Sequence, residues 1–377
     1  IYQPGDKVYQ INRKKALLMS TFGKRPLEDG VRINVAHIDS PRLDLKPNPL
    51  FEKDEIAYLK PHYYGGIRKY QWGTVPLSMH GVVVKADGEV VEISIGENEG
   101  DPQFCVTDLL PHLASEQNGR KLAEGLKGEE LNIIIGSIPY HDEENEKIKN
   151  PAKLLAMKLL NERYGITEKD FTRAEIEMVP AYKAVDIGLD RGLVGSYGQD
   201  DRVCAYTALM AEIGTKNPEH TTFTILTDKE EIGSVGNTGL HSDYVHHAVE
   251  DLAESFGADT KTVLRHSICL SSDVNAAYDP TFASVYESRN SSYVNKGCVL
   301  TKYTGARGKS GSSDASAETM AKVIGIMEEN GVYWQTGELG AVDAGGGGTI
   351  AQYVAMMDVD VVDLGVPILS MHAPFEL

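Results

Sequence analysis

Thr222-Phe223-Thr224-Ile225-Leu226-Thr227-Asp228-Lys229-Glu230-Glu231-Ile232-Gly233-Ser234 is the stretch on which the reading of this chain turns. A β-rich apolar run stops at two adjacent carboxylates and a glycine, the pattern of a strand that delivers Glu230 and Glu231 to the rim of a sheet. Two acids held at one strand end can divide labour, one binding a metal and the other handling a proton. An isolated Glu-Glu pair is more often a solvated turn, because runs of charge usually sit in water. What else arrives beside the pair therefore decides its meaning.

Upstream, Gly198-Gln199-Asp200-Asp201-Arg202-Val203 opens a core-facing helix over Val203 to Ile213, with acids that could equally cap its first turn. Further upstream, Val31, Ile33 and Val35 alternate as a strand should, and the run ends in His37-Ile38-Asp39-Ser40-Pro41. In this His-x-Asp, Asp39 is near enough to fix the tautomer and orientation of His37. Downstream, the apolar run Leu264 to Leu270 ends at Ser271-Ser272-Asp273, and the β-like run Val359 to Met371 delivers His372.

His37, Asp200, the Glu230/Glu231 pair, Asp273 and His372 thus all sit where a strand ends or a helix begins, in a chain whose strands and helices alternate. Open α/β sheets gather ligands at the carboxyl ends of their strands, so distant residues converge there. Two His and four carboxylates suit two zinc-like ions: one His and one acid on each, a shared Asp, and a spare Glu to take the proton of an attacking water. No His-Glu-x-x-His occurs, which argues against a helix-borne single-zinc protease site.

Between Leu77 and Val185 the texture changes. Gly81 to Ile93 reads as a hairpin about Asp87-Gly88, and the polar stretch His141 to Lys149 precedes an amphipathic helix. That helix opens at Pro151, runs through Leu154, Leu155, Met157, Leu159 and Leu160, and stops near Gly165. This block reads as an inserted domain at 81–186, with the catalytic domain formed by 1–80 and 187–377.

The chain has 377 residues, 41% hydrophobic and 24% charged, enough for one large domain and a smaller one. A net charge of -18 argues against nucleic-acid and anionic-membrane partners. Cys105, Cys204, Cys269 and Cys298 form no CxxC pair, so neither a disulfide framework nor a thiolate zinc site is suggested, and a cytoplasmic location is expected. No run approaches the ~18 apolar residues of a membrane span, and no signal-type stretch opens the chain. The start at Ile1 without Met and the stop at Leu377 read as clipped ends.

Two stretches imitate other sites. Gly308-Lys309-Ser310 resembles the end of a phosphate loop, but Tyr303 stands at the required upstream glycine, so no nucleotide is implied. Asp343-Ala344-Gly345-Gly346-Gly347-Gly348-Thr349 reads as a substrate-facing loop where backbone approaches a ligand closely.

Taken together, His37-Ile38-Asp39-Ser40-Pro41, Gly198 to Arg202, Asp228 to Gly236, Ser272 to Ala276, Lys302 to Asp314 and Met371-His372 closely resemble the aspartyl aminopeptidase and vacuolar aminopeptidase I family of cocatalytic zinc aminopeptidases. The match runs through almost the whole chain in family order. The resemblance implies a mixed-sheet, three-layer α/β zinc-exopeptidase domain with an inserted β-rich dimerisation domain. It implies two zinc ions per subunit, or cobalt or manganese, held by His37, Asp200 (bridging), Glu231, Asp273 and His372. Glu230 would be the general base and Asp39 the support of His37. It also implies peptide substrates and dimers that assemble into a tetrahedral dodecamer, from chains that extend beyond both ends seen here. The family's His-Leu-Ala-x-His-Leu motif reads His112-Leu113-Ala114-Ser115-Glu116-Gln117, so Glu116 replaces the second His and His112 is the nearby imidazole. Arg307, Lys309, Gly347 and Thr349 are the expected substrate-side residues, for an N-terminal residue that is acidic or neutral and apolar. Competing readings are a dipeptidase or deacylase on the same fold, and a catalytically silent assembly or cargo protein.

Overall fold

The computed structural model describes residues 2–142 and 148–377, so most of the polar stretch His141 to Lys149 lies outside the described residues. The chain divides into two compact units, Ile1–Ser40 with Gly198–Met371 and Glu376–Leu377, and Pro41–Tyr197 with His372–Phe375. The insertion therefore starts at Pro41 and not near residue 81. Arg42–Lys53 and Ile56–Tyr64, expected in the catalytic domain, hydrogen-bond instead to strands of the insertion.

The first unit is built on an eight-stranded sheet in the order Lys7–Asn12, Ala16–Thr21, Thr222–Thr227, Arg32–His37, Ile268–Ser271, Asp360–Gly365, Cys298–Thr301, Trp334–Thr336. The four central strands, Thr222–Thr227 to Asp360–Gly365, are parallel, and antiparallel strands flank them. They are covered on both faces, which explains why their sequences read as nearly unbroken apolar runs. Ile33, Val35, Phe223, Ile225 and Cys269 face Val245, Val249, Val263 and Val354 on one side. Ala36 and Leu226 face Cys204, Ala205 and Ala208 on the other, where Leu300 and Val362 also meet Val323 and Met327. The result is three layers, helices on sheet on helices. Leu264, read as part of a strand, closes the helix Thr260–Arg265, and the strand itself is only Ile268–Ser271.

The helix Gln199–Gly214 is pinned to the sheet by a buried carboxylate. Glu212 accepts hydrogen bonds from the hydroxyls of Thr21, Thr222 and Thr224 at 2.5, 2.8 and 2.8 Å. Fully satisfied, such a group rigidifies its surroundings instead of destabilising them. It fixes the helix whose opening turn carries Asp200 to the strand that leads to Glu230.

In the second unit every strand pairing among the described residues is antiparallel. Ala174–Pro180, Arg42–Lys53, Ile56–Tyr64, Ile133–Gly136, Phe104–Val106 and Pro76–Val84 follow one another, and Ala174–Pro180 pairs with Pro76–Val84 as well, closing a barrel; Val90–Ile95 is added outside. Closure removes sheet edges that would otherwise invite aggregation. Leu43, Leu59, Leu77, Met79, Ile133 and Met178 fill the interior together with Trp72. Gly81 has φ +145°, and a Cβ there would overlap the Glu175 carbonyl where the closing strand crosses. The helix Pro151–Tyr164 has Pro at its first turn and Gly165 in the left-handed region after its end. Its buried face is Ala152, Ala156 and Leu160, whereas Leu154 and Leu159 are exposed, so the apolar stripe read from the sequence is displaced around the helix.

Candidate metal centre

Four segments of the first unit deliver acidic or imidazole groups to the carboxyl ends of its parallel strands. His37 is the last residue of Arg32–His37 and lies opposite Thr227 in parallel register, so the turn after Thr227 leaves the sheet beside it. That turn is a short 3-10 helix, Glu230–Ile232, with Lys229 and Gly233 in left-handed conformations at its ends. Asp273 lies just beyond Ile268–Ser271, and a Cβ on Gly365 would overlap the Asp273 carbonyl, so only glycine lets the neighbouring strand come this close. Asp200 and Asp201 open the helix Gln199–Gly214 with non-helical backbone angles and a cis peptide between them.

The imidazole of His37 is the hub. Its Nδ1 donates to the Asp39 carbonyl at 3.0 Å, with an Asp39 carboxylate oxygen at 3.4 Å. That fixes the tautomer and leaves Nε2 as a lone-pair donor. Nε2 is buried and makes no well-aligned hydrogen bond, although Asp200 Oδ1 lies 3.0 Å away and Asp273 Oδ1 3.8 Å away. One ligand atom from each of His37, Asp200 and Glu231 falls within 4.8 Å of the others, as do those of His37, Asp201 and Asp273.

Asp39 has a further task that its sequence position did not suggest. Its two carboxylate oxygens accept the backbone N–H groups of Glu230 and Glu231, at 3.1 and 3.2 Å. One buried side chain thus orients both the imidazole and the Glu-Glu turn.

Electrostatics describe a cluster suited to a cation. Burial pushes Asp201 well above the usual carboxylate range, with Asp273 adding to the rise, and burial likewise raises Asp273. Glu230 is pushed up to about 8, first by burial and then by Asp273, Asp200 and Asp39, against the opposing pull of His37. For His37, burial alone would lower the imidazole, but the carboxylates of Asp200, Asp273 and Asp39 hold it well above its ordinary value. Nitrogen and carboxylate donors crowded in a buried space suit zinc, whose charge would compensate them.

The other expected site residues are not among the groups of this cluster. His372 belongs to the second unit, half-buried, with Nδ1 2.8 Å from the Gly66 carbonyl. His112, also in the second unit, is exposed on the 3-10 helix Pro111–Leu113. Arg307 and Lys309 line a cavity in the first unit with Tyr303, Glu338 and part of the glycine loop. Lys309 pairs with Asp314 at 2.7 Å and stands 3.8 Å above the Tyr303 ring, and both Lys309 and Arg307 are exposed. Gly347 pairs with Gly305, and the Thr349 hydroxyl donates to Asp363 at 2.8 Å.

Sequence reasoning missed three acids. Asp201 stands beside Asp200 with no role predicted for it, and its Oδ2 accepts the His37 amide at 3.4 Å. Asp363, in register with Ser271, is pushed up to about 7 by burial. Glu376 accepts the Asp200 amide at 3.1 Å. An acid inside the β-like run Val359 to Met371 is a usable signal for Asp363, but nothing local marks Glu376.

Imidazole and carboxylates gathered at the ends of parallel strands are the donor set of a metal-dependent hydrolase. The model of the Aminopeptidase I zinc metalloprotease (M18) family matches residues 1–377. The probable M18 family aminopeptidase 1 of Clostridium acetobutylicum is 52% identical over 378 residues, covering 99% of this chain and 80% of that protein. The crystal structure of aminopeptidase I from that organism shares the fold with a TM-score of 0.94 at 51% identity, over 99% of this chain and 81% of that one. The M18 family aminopeptidase structure from Thermotoga maritima also gives 0.94, at 46% identity over 99% and 82%. This chain belongs to the M18 family of zinc metalloproteases and is an aminopeptidase. Among the described residues no helix is long and apolar enough to cross a membrane.

Proposed function

We propose that the chain removes single N-terminal residues from peptides, with His37, Asp200, Glu231, Asp273 and His372 holding two zinc ions and Glu230 carrying the proton. Bound there, the metal would supply Lewis acidity toward the scissile carbonyl and lower the pKa of the attacking water. The protein's own part begins with Asp39, which holds His37 in one tautomer and anchors the Glu230–Glu231 turn. Glu231 then faces the ligand cluster, and Glu230 takes a proton from water and returns it to the leaving amine. The observation that carries this reading is the double grip of Asp39 on the amides of Glu230 and Glu231, because it fixes two carboxylates of different role in one turn.

The test is Glu230→Gln. Metal content should stay near that of the parent while turnover of aminoacyl-anilides is lost; substantial remaining activity would remove Glu230 from this role. A requirement for a free α-amine separates an aminopeptidase from a dipeptidase or deacylase on the same fold. On the substrate side, Arg307 is the cation open to an acidic residue, since Lys309 is already paired with Asp314. Arg307→Ala should slow aspartyl- and glutamyl-anilides while sparing leucyl-anilide, if acidic residues are preferred. The barrel unit is proposed as a dimerisation domain within a larger homo-oligomer. The fold relative mApe1 of S. cerevisiae, 23% identical with a TM-score of 0.76, is a dodecamer. Light scattering of the purified protein would test that assembly.

A further inference from the structure

The backbone of Asp200 is gripped at both polar groups by buried side chains from distant parts of the chain. Its amide donates to Oε2 of Glu376 at 3.1 Å, and its carbonyl accepts from the Ser40 hydroxyl at 2.8 Å. Glu376 is 1% exposed and Ser40 2%. A carboxylate buried that deeply is costly unless its hydrogen bonds are made, so its placement on one particular amide is a specific structural commitment.

Asp200 needs such support. It sits in the opening turn of Gln199–Gly214 but has φ -78° and ψ 107°, outside the helical range. The i to i−4 ladder of the helix therefore does not define its backbone. Glu376 and Ser40 supply that definition. The ladder Leu369 to Leu377, closed by reciprocal amide–carbonyl bonds of 2.8 and 3.1 Å, holds Glu376 itself.

We infer that Glu376 is a positioning residue of the metal centre, acting with Ser40 to set where the Asp200 carboxylate points. This rests on the reading of Asp200 as a metal ligand. Groups that orient a ligand from behind contribute to metal affinity without touching the ion, and losing one typically costs about 10–100-fold. Glu376 also lies four residues after His372, so the same chain end that carries one proposed ligand orients another.

Zinc affinity, measured by competition with a chromophoric chelator, tests the inference on full-length protein. Glu376→Ala should weaken zinc binding by about 10–100-fold, and Glu376→Gln, which keeps an acceptor oxygen, should recover most of the loss. Ser40→Ala should weaken binding in the same direction and serves as the second probe should Glu376→Ala fail to fold. Asp200→Ala is the reference: if it keeps both ions, the ligand reading itself fails. If Asp200→Ala loses zinc while Glu376→Ala and Ser40→Ala both bind it like the parent, the positioning role is overturned. A Glu376→Gln variant as weak as Glu376→Ala would also overturn it, because acceptance of the amide would then not be the operative feature.

Discussion

Asp170 in the barrel unit and Asp273 in the sheet unit are both largely buried carboxylates, and their surroundings push them in opposite directions. Asp170 receives the Thr167 amide and hydroxyl at 2.8 and 2.7 Å and the Arg173 guanidinium at 2.5 Å. The Thr167 amide is the largest cause holding it below the usual carboxylate range. Asp273 is raised by burial, and Asp200 opposes its charge further. A fold that only needs stability satisfies its buried acids from its own chain, as the barrel does. One that leaves several raised together has stored an affinity for cations at the expense of its own stability.

The sharpest way to break this contrast is to remove metal. Chelation should reduce peptidase activity roughly a thousandfold, equivalent to about 4 kcal/mol of transition-state stabilisation, and zinc should restore it. Activity insensitive to exhaustive chelation would dissolve the distinction between the units. Asp39→Asn comes next. An amide offers one acceptor oxygen where the carboxylate serves two N–H groups, so turnover should drop about 10–100-fold as the Glu230–Glu231 turn loosens. Wild-type turnover would show that the double grip is incidental.

Stability measurements sharpen the comparison through their sign. In metal-free protein Asp273→Asn should raise unfolding stability by about 0.5–2 kcal/mol, because it removes one of several crowded like charges. Asp170→Asn should lower it by about 1 kcal/mol, the usual cost of losing a cap. Two destabilised variants would mean that the acids of the sheet unit are satisfied internally after all. The smallest effect is a pH dependence. Asp170 has a folded pKa below its unfolded value near 3.9, so its contribution is fully present above about pH 5 and fades as pH falls through the folded value. Denaturation midpoints of parent and Asp170→Asn should therefore converge as pH falls below the folded value, and a gap that persists there would assign the effect to packing.

The sheet and its strand-end acids were legible because local pattern and fold agree there. The runs ending at His37, Thr227 and Ser271 are buried on both faces, and the residues just beyond each run are displayed at one edge. The limits of the insertion were not legible, since nothing in Arg42–Lys53 or Ile56–Tyr64 states which sheet they join. Their pairing with Ala174–Pro180 and Ile133–Gly136 does. The helix Pro151–Tyr164 shows the same limit on a smaller scale: its caps were written in Pro151 and Gly165, but which side faces inward depends on small Ala152 and Ala156 fitting beneath it. Asp39 was readable as a partner of His37, yet its hold on a turn far along the chain was not. Long-range hydrogen bonds leave no periodic trace.

The closure of the barrel has a consequence for how the ligands meet. Pro41 and Tyr197, first and last in the inserted stretch, are joined by a 2.9 Å bond from the tyrosine hydroxyl to the proline carbonyl, and Arg42–Lys53, which follows Pro41 directly, pairs with Ala174–Pro180. Once the barrel has formed, His37-x-x-Ser40 and Gly198-x-Asp200 are in effect neighbours in a much shorter chain. The entropy of bringing the two ligands together is then set by a short residual loop and not by the full separation, and its growth with length is only logarithmic in any case. The insertion acts as a pre-tied knot in a shoelace: a long detour in sequence that shortens the search for the centre.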